Sequence, residues 1–139
     1  MADARVARLR AVPLFAGCSD EELRFILTRV EEMDFPAGRV LCKKGESGGD
    51  FFVILEGQAE VEASAGKRML GPGEFFGEIA LLDGGPRTAT VTAETDLVVE
   101  VVAQRDFYSL LTNAPTVTRK ILSHLGARLR LADAQLAGR

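Results

Sequence analysis

A glycine, a short apolar stretch and an arginine lie close together near the middle of the chain, and their types suit the binding of an anion. Gly77 precedes residues 78–82, and the glycines and proline at 84–86 end that stretch. A short helix that begins after a glycine leaves backbone N–H groups unpaired at its N-terminus, and these donors attract negative charge. Arg87 follows the turn, so its guanidinium can bind the same anion through two donors. We therefore predict a phosphate-binding turn over residues 77–88.

Glu78 adds a second chemical requirement to this turn. A carboxylate beside a phosphate is repulsive unless it serves a neighbouring group, and it accepts hydrogen bonds well from a sugar hydroxyl. An anion next to a hydroxyl predicts a ribose phosphate as the ligand. The alternative is that Arg87 and Glu78 form an ion pair at the protein surface and bind no ligand.

Residues that could support catalysis or hold a metal are scarce. His124 is the single histidine, whereas a metal-dependent oxygenase needs several histidines or a histidine-carboxylate cluster. Cys18 and Cys42 lack CxxC spacing, so they favour neither a disulfide framework nor a thiolate metal site. The glycines at 71–77 have GxGxxxG spacing without a βαβ unit, and no serine lies in a GxSxG setting. We predict that the chain is not an enzyme and has no catalytic residue, cofactor or metal.

The elements that must position this turn begin and end with helices. Ser19 precedes three acidic residues and an apolar series at helical spacing that includes Val30, which predicts a capped helix over residues 19–31. Near the C-terminus, apolar residues on one side predict a helix over 104–113. Pro115 is well placed to begin a final helix over 115–136.

Short strands are predicted between these helices. Eleven of the 14 glycines lie between residues 38 and 85, and they punctuate extended stretches at 40–42, 51–55 and 59–63. Residues 51–63 are interpreted as a hairpin that turns at Glu56 and Gly57. Two further strands follow the phosphate-binding turn and are divided near residues 94–96. Many short strands with glycine turns predict a small barrel or jelly-roll over residues 33–103.

Composition fits one domain over residues 1–139. The chain is 47% hydrophobic and 27% charged, with no repeat or linker. Its net charge of -3 makes nucleic acid a poor partner, and no apolar run is long enough to span a bilayer. The N-terminus lacks the apolar stretch of a secretory signal, so we expect a cytoplasmic protein.

The string F-G-E-I-A-L, a short turn and then P-R-T-A resembles the phosphate-binding cassette of the cyclic nucleotide-binding domain family, which includes kinase regulatory subunits, gated channels and catabolite-activator regulators. The stretches LFAGCSDEELRFIL and PAGRVLCKKGESGGDFFVILEGQAEV and the closing pair of helices are also similar to that family, so the resemblance extends from about Leu14 to Leu131. The resemblance implies a mainly β fold, an eight-stranded antiparallel β-roll with an N-terminal helix and two C-terminal helices. It implies a non-enzymatic receptor for cAMP or cGMP.

The resemblance also implies roles for individual residues. Glu78 would bind the ribose 2′-hydroxyl, and Arg87 the exocyclic phosphate oxygens. Backbone groups of Gly77, Ile79 and Ala80 would face the ligand. The Thr88 hydroxyl could reach phosphate or a guanine amino group, which leaves cAMP and cGMP both open, or Thr88 could simply be a strand residue.

In the family, the last helix moves to cover the base. The candidates for this lid are Arg128 and its neighbours Leu129 and Leu131. Leu81 is similar to a cassette leucine that packs against the hinge before the last helix, where Phe107 is its expected partner. We therefore expect ligand binding to reposition the C-terminal helix.

The sequence leaves the output of the domain open. Leucines 122, 125, 129 and 136 with Ala132 follow 3-4 spacing, which suits either a homodimer seam or packing on the β-roll. The output partner is an unknown protein or a second copy. Alternatives are a ligand-free interaction domain, or the sensor part of a longer transcription regulator or channel, since too few residues follow the last helix for a DNA-binding unit.

Overall fold

The computed structural model describes residues 2–137 of the chain. Its eight strands form two antiparallel sheets of four, in the orders β1-β8-β3-β6 and β2-β7-β4-β5. The strands are β1 (Val30–Phe35), β2 (Val40–Cys42), β3 (Phe51–Glu56), β4 (Ala59–Ala63), β5 (Gly66–Leu70), β6 (Phe75–Phe76), β7 (Thr90–Ala93) and β8 (Leu97–Val102). The predicted eight-stranded antiparallel β-roll with flanking helices is confirmed.

Five α-helices and a short 3-10 helix flank the sheets. They are α1 (Ala2–Arg10), the 3-10 helix (Pro13–Phe15), α2 (Asp20–Leu27), α3 (Glu78–Asp83), α4 (Gln104–Asn113) and α5 (Pro115–Ala137). Except for α3, which lies between β6 and β7, the helices precede or follow the strands in the chain.

Two apolar cores lie on opposite faces of the first sheet. Because neighbouring side chains of a strand point to opposite faces, β3 contributes Phe52 and Ile54 to the interior of the roll and Phe51 and Val53 to the helical layer outside it. Every one of these four residues is buried. The first sheet is therefore covered on both faces. The cavity beside α3 borders the core inside the roll.

The N-terminal helices differ from the prediction at both ends. Ser19 and Glu22 form the expected capping box, with hydrogen bonds of 3.1 and 2.9 Å. The predicted helix over residues 19–31 was wrong beyond Leu27, because Val30 belongs to β1 and pairs with Val102. Helix α1 was not predicted, because its apolar pattern is short. In the described part only two of its apolar side chains are buried, those of Val6 and Leu9.

The predicted hairpin over residues 51–63 was also wrong. β3 pairs with β6 and β8, whereas β4 pairs with β5 and β7 in the other sheet. Gly57 lets the chain cross between the sheets, with a φ of 90°. A Cβ atom at this position would lie 2.2 Å from the carbonyl oxygen of Asp96, so a glycine is required.

The last helix leaves the core partway along its length. Val117 and Ile121 are buried in the helical layer, and Leu125 is partly buried against it. Beyond Leu125 the leucines are exposed, and they are Leu129, Leu131 and Leu136. Leu122, which precedes it, is also exposed. Of the two roles predicted for the leucine series, packing of all its members on the β-roll is therefore wrong. No helix in residues 2–137 has the length and apolar character needed to cross a membrane.

Candidate ligand-binding site

Helix α3 begins and ends at glycines with left-handed backbone conformation. Gly77 has a φ of 100° at its N-terminus, and Gly84 has a φ of 72° at its C-terminus, where its N–H donates to the Ala80 carbonyl. A Cβ atom at position 77 would lie 2.6 Å from the Asp50 carbonyl oxygen and 2.9 Å from Nη1 of Arg87. Only a glycine allows the helix to begin this close to the arginine.

Arg87 lies buried beside this helix, with 6% of its surface exposed. Its Nη1 donates to the carbonyl of Gly77 at 2.8 Å, and its Nη2 donates to the carbonyl of Asp50 at 2.6 Å. The backbone of Arg87 is also held: its carbonyl accepts a hydrogen bond from the Gly45 N–H, and its N–H donates to the carbonyl of Glu46. Within residues 4–136, whose side chains the structure describes, no carboxylate forms a salt bridge with this guanidinium, so its positive charge is available to an anion.

Glu78, the first residue of α3, is also buried, with 3% of its surface exposed. Its Oε2 lies 3.7 Å from Nη1 of Arg128 on α5. The surface ion pair between Arg87 and Glu78 is therefore not found: both side chains are buried, and Glu78 is paired with a different arginine. This contact also brings the last helix to the edge of the site.

A cavity of about 280 Å³ connects these groups. All seven residues predicted for the site line it, and they are Gly77, Glu78, Ile79, Ala80, Arg87, Thr88 and Arg128. Thr88 is exposed at its mouth. The other two lid candidates, Leu129 and Leu131, do not line the cavity and are 64% and 66% exposed.

The far wall of the cavity consists of residues that were not predicted from the sequence. Strands β4 and β5 contribute Val61, Ala63, Arg68 and Leu70. The alternation of apolar and acidic residues in β4 was a signal for the first two. No such signal marked Arg68, because the face of the sheet to which its side chain points depends on the pairing of Arg68 with Val61 across the strands.

The electrostatics of the cavity place positive and negative charge at separate points. Cys42 also lines it, and burial raises the pKa of this thiol while the charge of Arg87 opposes that increase. A neutral thiol therefore lies beside the guanidinium, and the carboxylate of Glu78 is held on the helix. The arrangement can bind a ligand that carries an anion and, a short distance away, a hydroxyl donor.

Contacts from α3 also reach the C-terminal helices. Leu81 is buried in the same core as Phe107 of α4. The hydroxyl of Tyr108, the next residue, donates to the Leu81 carbonyl at 2.7 Å. The helix that begins at the cavity is thus fixed to α4, which directly precedes α5.

Comparison with known proteins gives a consistent family. The family profile described as "Cyclic nucleotide-binding domain" matches residues 32–114. A cyclic nucleotide-gated potassium channel of Rhizobium etli is 39% identical over 111 residues, which is 80% of this chain and 31% of the channel. The cyclic AMP receptor protein of Thermus thermophilus is 30% identical over 134 residues, which is 92% of this chain and 62% of the receptor.

Solved structures show the same fold. The crystal structure of the Thermus thermophilus catabolite activator protein has a TM-score of 0.78 at 32% identity, covering 89% of this chain and 61% of that one. The chain therefore spans about a third of the channel and about three-fifths of the receptor. These relatives are named as a potassium channel, a receptor protein and an activator protein. The chain belongs to the cyclic nucleotide-binding domain family.

Proposed function

We propose that this chain is a receptor domain that binds a cyclic nucleotide, cAMP or cGMP, in the cavity beside α3. One observation carries the proposal: a buried guanidinium without a carboxylate partner among the described residues shares a cavity with a buried carboxylate. Arg87 binds the exocyclic phosphate oxygens through its remaining N–H groups, and Glu78 accepts a hydrogen bond from the ribose 2′-hydroxyl. The names of the Thermus and Rhizobium relatives support this ligand class.

The other predicted residues surround these two groups. Gly77, Ile79 and Ala80 present the backbone of the first turn of α3, whose unpaired N–H groups favour the phosphate. Thr88 lies at the mouth of the cavity, where its hydroxyl can donate to phosphate or accept from a base amino group. No residue of this set needs to act as an acid, base or nucleophile, which agrees with a binding domain.

We further propose that the nucleotide repositions α5. Arg128 of this helix lies 3.7 Å from Glu78. A ribose hydroxyl that binds Glu78 competes for the same carboxylate, so the two states differ in what holds α5 at the cavity. The size of the shift is limited by the difference in nucleotide affinity between those states.

The architecture of α5 supports a movement of its distal half. The proximal half is fixed: Thr116 donates to Glu22, and Lys120 donates to the carbonyl of Pro13 at 2.6 Å. The distal half has exposed leucines, including Leu129 and Leu136. Through this apolar surface a change in α5 would reach an output protein or a second copy of the chain.

Calorimetric titration of ligand-stripped protein with cAMP, cGMP and 5′-AMP tests the proposed function. Micromolar or tighter binding of a cyclic nucleotide, with much weaker binding of 5′-AMP, is expected, because linear AMP carries extra charge and a different phosphate geometry. The absence of binding heat and of thermal stabilisation with both cyclic nucleotides would show that the chain has the fold without the function.

A further inference from the structure

A buried carboxyl lies in the first sheet, on the face that the helices cover. Glu100 of β8 is 6% exposed, and its Oε1 has no hydrogen-bond partner among residues 4–136, whose side chains the structure describes. It lies opposite Val53 of β3, and residues opposite each other across an antiparallel pair point to the same face. Val53 is buried in the helical layer, and so is Val102, two residues beyond Glu100. Glu100 therefore points into that layer.

Helix α1 forms part of the cover over this face. Its buried side chains, Val6 and Leu9, belong to the same apolar core as the two valines beside Glu100. Arg8 of α1 lies 2.9 Å from Oε1 of Glu32, which is directly opposite Glu100 in β1. Both members of this ion pair are exposed, and an exposed pair adds little stability. Two apolar side chains and a surface ion pair hold α1 weakly, so it is an element that can open locally.

Charges of both signs surround Glu100. The negative groups on its face of the sheet are Glu32, directly opposite, and Asp34 and Glu56, which lie on either side of the next residue along that face, Val98. The positive groups are Arg5 and Arg8 of α1. Burial raises the pKa of Glu100 and the charge of Glu32 raises it further, whereas the two arginines oppose the shift. The arginines do not offset the burial, because Arg8 is paired with Glu32 instead.

The closed position of α1 therefore suits a neutral Glu100. An ionised carboxylate in this layer is costly, since one of its oxygens lacks a donor and water is excluded. Lifting α1 admits water to the carboxylate and removes that cost. We propose that α1 is a proton-controlled strap, closed over Glu100 while this carboxyl holds its proton and lifted once the proton is lost.

The movement is confined to α1 itself. The 3-10 helix that follows is fixed to the last helix, because Lys120 of α5 donates to the carbonyl of Pro13 at 2.6 Å. The closed state binds the proton of Glu100 more tightly than the lifted state. The closed population is therefore highest at low pH and falls as the pH rises above 4.5, the ordinary value, through the higher pKa of the closed state. This inference is independent of nucleotide binding.

The surface ion pair alone predicts the opposite pH dependence. If the bond between Arg8 and Glu32 controlled α1, the helix would loosen at low pH, when Glu32 gains a proton and releases the arginine. The direction of the change thus separates the two explanations.

The experiment is an NMR titration of the whole chain from pH 4 to pH 8, with hydrogen exchange of the α1 amides corrected for the intrinsic dependence of exchange on pH. We expect the amide signals of residues 4–10 and the carboxyl ¹³C signal of Glu100 to change with the same midpoint in the wild type. The protection of α1 should fall across this transition, by up to roughly tenfold for each pH unit. Glu100→Gln should keep α1 closed over the whole range, whereas Glu62→Gln, at an exposed position in the other sheet, should behave as the wild type.

Three results would overturn the inference: α1 signals that do not change with pH, protection that falls toward low pH, or the same pH response in Glu100→Gln as in the wild type. If Glu100→Gln does not fold, the wild type decides alone, because different midpoints for α1 and for the Glu100 carboxyl would equally contradict the strap.

Discussion

The guanidinium of Arg87 is buried against two backbone carbonyls, so part of its hydrogen-bonding capacity serves the fold and part remains for a ligand. Replacing it with alanine removes a charge-assisted, two-donor contact to phosphate. We expect Arg87→Ala to weaken cyclic nucleotide binding by about 2 to 3 kcal/mol, on the order of a hundredfold. Calorimetry well below the melting temperature measures this.

The control is Arg24→Ala, which removes an exposed arginine from α2 and should leave the affinity unchanged. Arg87→Ala will also lower the stability of the ligand-free protein, because the carbonyls of Gly77 and Asp50 lose their donors. Equal affinities of Arg87→Ala and the wild type would refute the assignment of the phosphate site.

The carboxylate of Glu78 is assigned to the ribose hydroxyl, and Glu78→Gln tests that role. The amide keeps the shape of the side chain and removes its charge, so the hydrogen bond from a 2′-hydroxyl becomes weaker. The wild type should bind a ribose nucleotide roughly tenfold more tightly than its 2′-deoxy analogue, and this ratio should fall toward one in the variant. A ratio that persists in the variant would place the hydroxyl elsewhere.

At the scale of elements, Glu22 links two helices that are distant in the chain. Its carboxylate accepts hydrogen bonds from the Ser19 N–H at the start of α2 and from Thr116 at the start of α5. These partners hold its pKa below the usual range, whereas burial alone would raise it. One side chain thus caps the N-termini of both helices.

Glu22→Ala should therefore cost more than the loss of one cap. We expect the free energy of unfolding to fall by about 2 kcal/mol, since a single cap typically contributes about 1 kcal/mol and Glu22 serves two helices. Denaturant unfolding measures the change, and Glu21→Ala at the neighbouring exposed position is the control. Similar unfolding midpoints for the two variants would show that the link between α2 and α5 adds no stability.

Elements with strong local signals were predictable from the sequence. The capping box of α2, the proline that begins α5 and the glycines that surround α3 all act through neighbouring residues. The sheet to which each strand belongs was not predictable in this way. β3 and β4 are adjacent in the chain and lie in different sheets, because strand pairing depends on long-range contacts.

The difference between local signals and long-range pairing also explains which residues of the cavity were predicted from the sequence. The predicted residues 77–80 and 87–88 lie within one short segment and share a known motif. The wall of β4 and β5 depends on register, and Arg68 acquires its inward direction only from its pairing with Val61. The backbone carbonyl of Asp50, which accepts a hydrogen bond from Arg87, had no side-chain signal at all.

At the scale of the whole molecule, Glu100 should make stability depend on pH. It lies in β8 opposite Glu32 of β1 and is 6% exposed, and its Oε1 has no hydrogen-bond partner among residues 4–136, whose side chains the structure describes. Burial raises the pKa of Glu100 above its ordinary value of 4.5, the charge of Glu32 raises it further, and Arg8 and Arg5 oppose the shift.

A carboxyl whose pKa is raised by folding binds its proton more tightly in the folded state. Its contribution to stability is therefore present below about pH 4.5 and is lost as the pH rises through the higher folded-state pKa. Glu100→Gln removes this titration, so the melting temperature of the variant minus that of the wild type should increase between pH 4 and pH 8. A difference that is constant or decreases with pH would contradict a raised pKa.

The central claim is that the cavity beside α3 binds a cyclic nucleotide through its phosphate and ribose. The most direct test is a titration of ¹⁵N-labelled protein with cAMP and with cGMP, followed by the backbone amide signals of residues 77–80 and the side-chain N–H signals of Arg87. The account predicts saturable shifts that are largest at these positions, with smaller shifts along α5. Unchanged spectra with both nucleotides, or shifts concentrated away from the cavity, would contradict it.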